Sequence, residues 1–141
     1  MKIEKIIDHI RNRPYMSGVE RSEQRKLEFQ EVFTTTELTK LGFDNLNDDY
    51  FKDPNQIFVD PCCGDGTLLG EALIRKCQNG IDFETALKSL RGVDINESNV
   101  KACHDRLLVG REDLRHIVEK YIVVGDALES DLLFGEEKSF G

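Results

Sequence analysis

Proline is scarce in this chain: three occur in 141 residues, at 14, 54 and 61, so no Pro-Pro pair exists anywhere in it. Cysteine is sparse too. Four cysteines, two of them adjacent in a turn, fit a reducing cytosol better than a disulfide framework. Cys62, Cys63, Cys77, Cys103 and His104 lack finger-like metal spacing, so no metal is expected, and no histidine neighbours Cys62 or Cys63 to activate a nucleophile. No apolar run approaches the roughly 20 residues of a membrane span. The opening segment is amphipathic and charged, unlike a signal peptide, and a cytoplasmic protein without membrane contact is expected. Basic charge is in deficit, with a net charge of −8, and residues 53–141 carry 10 basic against 17 acidic side chains. That balance argues against tight nucleic-acid binding by the free chain, because phosphate contacts supply most of such affinity. Repeats and low-complexity tracts are missing. Hydrophobic content of 39% with 33% charged residues describes one compact domain, long enough to bury about two-thirds of its unfolded surface.

The most informative stretch present is Phe58-Val59-Asp60-Pro61-Cys62-Cys63-Gly64-Asp65-Gly66-Thr67-Leu68-Leu69. An apolar strand delivers a carboxylate, the backbone turns through two glycines, and a helix begins at once. Gly64 and Gly66 can adopt backbone angles closed to other residues and let a ligand lie against bare main chain. The helix mouth presents unpaired N–H groups. A phosphate-cradling loop would carry Lys here; aspartates at 60 and 65 suggest instead a ligand with a cationic or hydroxyl-rich part. Cys62 and Cys63 read as small packing residues beside it.

Two further strand ends repeat the arrangement. Arg91-Gly92-Val93-Asp94-Ile95-Asn96 is a short apolar run ending in an acid before a helix that opens at Glu97. Tyr121-Ile122-Val123-Val124-Gly125-Asp126-Ala127 is a third. Ligands of doubly wound sheets bind just outside such carboxyl tips. An acid after the second strand can accept from ribose hydroxyls, and one after the third from an exocyclic amine. Taken singly, each aspartate is equally well read as a helix N-cap. Three at successive tips beside a glycine turn favour a nucleoside site.

These motifs resemble those of class I S-adenosylmethionine-dependent methyltransferases, nearest to the N6-adenine DNA methyltransferases of restriction–modification systems and phages. Asp60-Pro61-Cys62-Cys63-Gly64-Asp65-Gly66 is similar to their Asp-Pro-x-Cys-Gly-x-Gly motif, Gly92-Val93-Asp94-Ile95 to their second, and Gly125-Asp126-Ala127-Leu128 to their third. Val32-Phe33-Thr34-Thr35-Thr36-Glu37-Leu38 resembles their Phe-Thr-Pro-x-x-Leu element, departing at Thr35 where the family has Pro. The likeness covers about residues 25 to 128, the cofactor-binding, amino-terminal half of such an enzyme. It implies S-adenosylmethionine as cofactor. Asp60 would sit by its amino group, Cys62, Gly64 and Gly66 beside it, and Thr34 at its carboxylate. Asp94 would take the ribose hydroxyls, Ile95 would pack on the adenine, and Asp126 with Ala127 would meet the adenine amine.

A dinucleotide-binding reading fails on spacing. Gly64-x-Gly66 continues to Gly70 rather than to a glycine at 69, and Asp94 lies farther on than a compact unit expects. The family's catalytic Asn- or Asp-Pro-Pro-aromatic loop has no counterpart here, so no catalytic residue is assigned. Methyl transfer to DNA adenine is expected only if a partner supplies that loop. The alternative is a non-catalytic sensor or regulatory subunit binding S-adenosylmethionine or its demethylated product; a remnant that binds nothing is the third reading.

The expected fold class is α/β: a Rossmann-like, three-layer αβα half-sheet, parallel, in the order 3-2-1, preceded by N-terminal helices. Residues 1–56 form the helical lead and loop, and 57–141 the core. Helices are expected over the stripe Ile3, Ile6, Ile7, Ile10 (core or partner-binding face), Glu20 to Val32, Leu38 to Phe43, Thr67 to Asn79, Phe83 to Leu90 capped by Asp82, Glu97 to Val109, and Glu112 to Lys120. Pro14 to Gly18 reads as a turn and Asn45 to Asn55 as an acidic loop; strands are expected at Ile57–Asp60, Arg91–Ile95 and Ile122–Gly125. In such a half-sheet the far side of strand one lacks a partner, so a second copy, another subunit or the tail Leu132 to Phe140 is expected to cover it. DNA would be met only in such a complex.

Overall fold

The structure, a computed structural model, describes residues 1–12 and 48–126. The expectations for Pro14 to Gly18, Glu20 to Val32, Thr34, Leu38 to Phe43, Ala127 and Leu132 to Phe140 lie outside the described residues. Within them the order is α1 (Ile3–Asn12), a 3₁₀ turn (Asp48–Phe51), β1 (Phe58–Asp60), α2 (Thr67–Gln78), α3 (Phe83–Lys88) and β2 (Leu90–Asp94). There follow α4 (Glu97–Leu108), a 3₁₀ turn (Glu112–Leu114), α5 (Arg115–Tyr121) and β3 (Ile122–Val124).

The sheet is parallel throughout and its linear order is β1-β2-β3, with β2 in the middle. Phe58 stands opposite Leu90 and Asp60 opposite Gly92; Gly92 stands opposite Ile122 and Asp94 opposite Val124. The mixed α/β class and the three parallel strands are as expected. All five residues of β2 are buried, as a central strand flanked on both edges requires. Arg91 is accommodated there because its guanidinium lies 3.8 Å over the Tyr121 ring and donates to the Lys88 and Leu90 carbonyls.

One hydrophobic cluster joins the helices to the sheet: Leu69 and Leu73 of α2, Leu87 of α3, Leu107 of α4, Val118 of α5 and Ile122 of β3 all belong to it. Burying each such leucine contributes roughly 1.5–3 kcal/mol. Ile6 and Ile10 of α1 join the same cluster, so the isoleucine stripe at the amino terminus is core. Close packing of α1 on α2 depends on Gly70, where a Cβ would lie 2.6 Å from Ile10 Cγ2.

Local signals account for most helix ends. Asp82 caps α3 by accepting from the Thr85 N–H at 3.0 Å, and Asn96 caps α4 by accepting from the Asn99 N–H at 3.2 Å. α4 closes through Val109 at φ 49° and Gly110 at φ 80°. Three expectations need correction. Leu90, expected to end the helix from Phe83, opens β2 instead, because it pairs with Phe58 in the sheet. The acidic stretch before β1 contains the 3₁₀ turn Asp48–Phe51, because the Phe51 side chain is drawn into the core. The single helix expected from Glu112 splits at Leu114, itself buried, into a 3₁₀ turn and α5. Among the described residues no helix is long and apolar enough to cross a membrane.

Candidate functional site

The carboxyl ends of the three strands lie at one end of the sheet, and hydrogen bonds lace them together. After Asp60 the chain crosses toward β2, where the Cys63 N–H donates to the Val93 carbonyl at 3.0 Å. The next amide, Gly64 N–H, donates to Asp94 Oδ2 at 3.0 Å. Asp94 Oδ1 accepts from the Asn96 N–H at 2.8 Å and from Asn99 Nδ2 at 3.4 Å, while its backbone carbonyl accepts from the Gly125 N–H at 3.0 Å. One residue at the tip of the central strand therefore holds the glycine loop, the start of α4 and the chain leaving β3. The helix cap expected of Asp94 when taken singly is made by Asn96 instead.

Asp60 is 6% exposed, and its Oδ1 accepts from the Cys62 N–H at 3.0 Å. Burial pushes its carboxyl above the usual aspartate range; the Cys62 N–H opposes that shift and the charge of Asp94 adds to it. Asp94 is likewise 6% exposed. Among the described residues neither carboxylate pairs with a basic side chain. Asp60 and Asp94 are thus two inward carboxylates close enough to feel each other.

Asp65 behaves differently from Asp60, with which the sequence groups it. Its side chain is 3% exposed and forms an ion pair with the buried Arg106 at 3.3 Å, and the Thr67 hydroxyl donates to it at 3.0 Å. It holds the loop from beneath and is not presented to a ligand. The glycines do what the turn requires, Gly64 at φ 53° and Gly66 at φ 89°. Gly66 has a second reason to lack a side chain: a Cβ there would lie 2.7 Å from Cys103 Sγ on α4.

Cys62 is exposed at the turn, where burial first and then the charges of Asp94 and Asp60 push its thiol up, so a nucleophilic thiolate is disfavoured. Cys63 is buried against Cys103, and its contact with that thiol, together with burial, pushes it strongly upward. Ile95 follows Asp94 and is 76% exposed; Val124, at the end of β3, is 50% exposed. Asp126 is exposed two residues past β3, while Thr34 and Ala127 lie outside the described residues. The structure thus brings together Asp60, Cys62, Gly64, Gly66 and Asp94; Ile95 follows Asp94, and Asp126 lies two residues past the end of β3. Asn99 and Arg106 were not singled out in the sequence. Asn99 had a signal in its place one turn into a helix that starts beside the acid; an arginine in a charged helix gives none.

Among the described residues no group of three His, Cys, Asp or Glu side chains could hold a metal. A cleft of about 280 Å³ lined by Pro54, Asn55, Ile57, Thr85, Lys88 and Ser89 opens at the other end of the sheet, where β1 and β2 begin. Its hydroxyls are already committed, Thr85 to Asp82 and Ser89 to the Ala86 carbonyl, and Lys88 pairs with Glu84 at 3.6 Å, so it offers little for recognition. Comparison with family models, with curated proteins and with solved structures finds no match.

Proposed function

We propose that the chain binds S-adenosylmethionine at the carboxyl ends of its strands, as the cofactor-holding half of a Rossmann-like protein related to the N6-adenine DNA methyltransferases. The observation that carries this reading is the pair Asp60 and Asp94, each 6% exposed and without a basic partner among the described residues. Leaving buried carboxylates unneutralised costs several kcal/mol. A ligand can supply the missing positive charge, and S-adenosylmethionine carries an ammonium and a sulfonium.

In this reading Asp60 receives the ammonium, and Cys62, Gly64 and Gly66 let the amino-acid part approach, with Thr34 at its carboxylate. Asp94 takes the ribose hydroxyls at the acceptor site left after Gly64 N–H, Asn96 N–H and Asn99 Nδ2, since a carboxylate has about four such sites. Ile95, the most exposed large apolar side chain described, offers a surface for the adenine ring, whose amine meets Asp126 and Ala127. The parallel sheet with its acids at the strand ends supports the doubly wound assignment.

With a partner supplying a Pro-Pro-aromatic loop, the methyl group would pass from sulfonium sulfur to an adenine amino nitrogen in DNA. S-adenosylhomocysteine would remain and one amine proton would go to solvent. The absence of any Pro-Pro pair and the net charge of −8 favour, for the chain by itself, a sensor or regulatory role that binds the methyl donor or its product. Four free thiols suit the reducing cytoplasm in which such proteins work.

Titration calorimetry with S-adenosylmethionine and S-adenosylhomocysteine tests the reading. Binding is expected, and Asp60→Asn should weaken it about 10- to 100-fold, the worth of a charged hydrogen bond. Absence of binding heat and of thermal stabilisation in the unaltered chain would refute the cofactor assignment. A methyl-transfer assay on DNA, with and without candidate partner chains, separates the enzyme from the sensor.

A further inference from the structure

Arg106 lies in α4, and its side chain is 1% exposed, an uncommon place for a guanidinium. Its Nε–H donates to the Ile10 carbonyl at 2.9 Å, in the last turn of α1, where helix carbonyls lack intrahelical partners. Its Nη1 donates to the Thr67 hydroxyl at 2.9 Å and to Asp65 Oδ1 at 3.3 Å. Thr67 in turn donates to Asp65 Oδ1 at 3.0 Å, closing a triangle beneath the glycine loop. The guanidinium is planar and rigid, so the groups bound at its two positions keep a fixed relation. Asp65 and Thr67 bracket Gly66, and Gly64 just before them is held from the other side by Asp94. The loop is therefore fixed from above by the central strand tip and from below by one buried arginine.

We propose that Arg106 is the positioning residue of the glycine loop. It sets the path by which Asp65-Gly66-Thr67 leaves β1 and registers that path against the carboxyl end of α1. Ligand affinity at the strand tips then depends on a contact that never touches the ligand. The affinity part rests on the S-adenosylmethionine reading; the loop geometry does not.

The test uses the full chain and two measurements: hydrogen exchange of the amides in residues 62–67 without ligand, and calorimetric affinity for S-adenosylmethionine below each variant's melting temperature. Thr67→Val removes one acceptor of Arg106 at constant shape, and Arg106→Lys cannot span both positions. Both should fold, exchange faster in the loop and bind about tenfold more weakly, the worth of one hydrogen bond to a charged group. Arg11→Met is the comparison variant. It breaks a separate link between α1 and α2, the ion pair from Arg11 to Glu71 at 3.0 Å, and should lower the melting temperature with loop exchange and affinity unchanged. Unchanged loop exchange in Thr67→Val and Arg106→Lys overturns the proposal, as does an equal effect of Arg11→Met on loop and affinity. Faster loop exchange with no binding by the unaltered chain supports the positioning role and sinks the cofactor reading alone.

Discussion

Asp60 carries a stability penalty that a structural cap would not need. Its folded carboxyl sits above the unfolded value because of burial first, with the Cys62 N–H opposing and Asp94 adding. The folded state therefore holds more protons than the unfolded state across the window between the two values, and stability is lost as pH rises through it. Above that window the ionised carboxylate is a standing cost. Asp60→Asn keeps the acceptor for the Cys62 N–H and removes the charge, so its melting temperature should exceed that of the unaltered chain at pH 7. The advantage should shrink as pH falls through the acidic range, as scanning calorimetry across pH would check. A variant that gains stability while losing ligand marks a functional group. Asp94 should behave in the opposite sense. Asp94→Ala leaves the Gly64 and Asn96 amides without their acceptor, each worth about 1–3 kcal/mol when buried, so the urea midpoint and the ligand affinity should fall together.

Elements behave as their local signals dictate wherever the deciding contact is short in sequence. The cap of α3 joins residues three apart, and its loss in Asp82→Ala should cost about 1 kcal/mol by urea denaturation. Gly70→Ala should cost more, because the new methyl meets Ile10 only 2.6 Å away and α1 must shift on α2. The strands were legible as apolar runs closed by an acid, and so was the gathering of Asp60 and Asp94 at one end of the sheet. What could not be read is what distant packing decides. Asp65 and Asp60 flank the same turn and look alike in sequence. Only the arrival of Arg106, 41 residues later, gives one a cation and leaves the other without. Lys76 is similar: it is a lysine buried in its helix, its ammonium donates to the Gln56 carbonyl just before β1, and burial pushes its amine down. Cooperation of elements far apart in the chain creates these sites, and periodicity is blind to it.

For the molecule as a whole, assembly turns on the outer edge of β1. Among the described residues β1 pairs only with β2, and Val59 in the middle of it is 43% exposed. Unpaired strand edges recruit partners, and the proposed reading leaves a catalytic loop to be supplied from outside. A second copy or a partner subunit at that edge should show in light scattering as a mass above the chain's 16.1 kDa, and Val59→Lys should return it to one chain. A single-chain mass at every concentration, unchanged by candidate partners, would dismiss self-association and those partners.

The strand register also sets what the proposed reading asks of a ligand's outline. Because Asp60 is level with Gly92, Asp94 stands two residues beyond it on the next strand, and Asp126 follows by two the Val124 that is level with Asp94. Two residues of rise, with one interstrand step, separate the Cα positions of Asp60 and Asp94 by roughly 8 Å along a slanted line. A compact amino acid or a free nucleobase is too small to touch all three acids. A ligand that meets all three, as the proposed reading requires, has to be elongated and laid diagonally across the sheet.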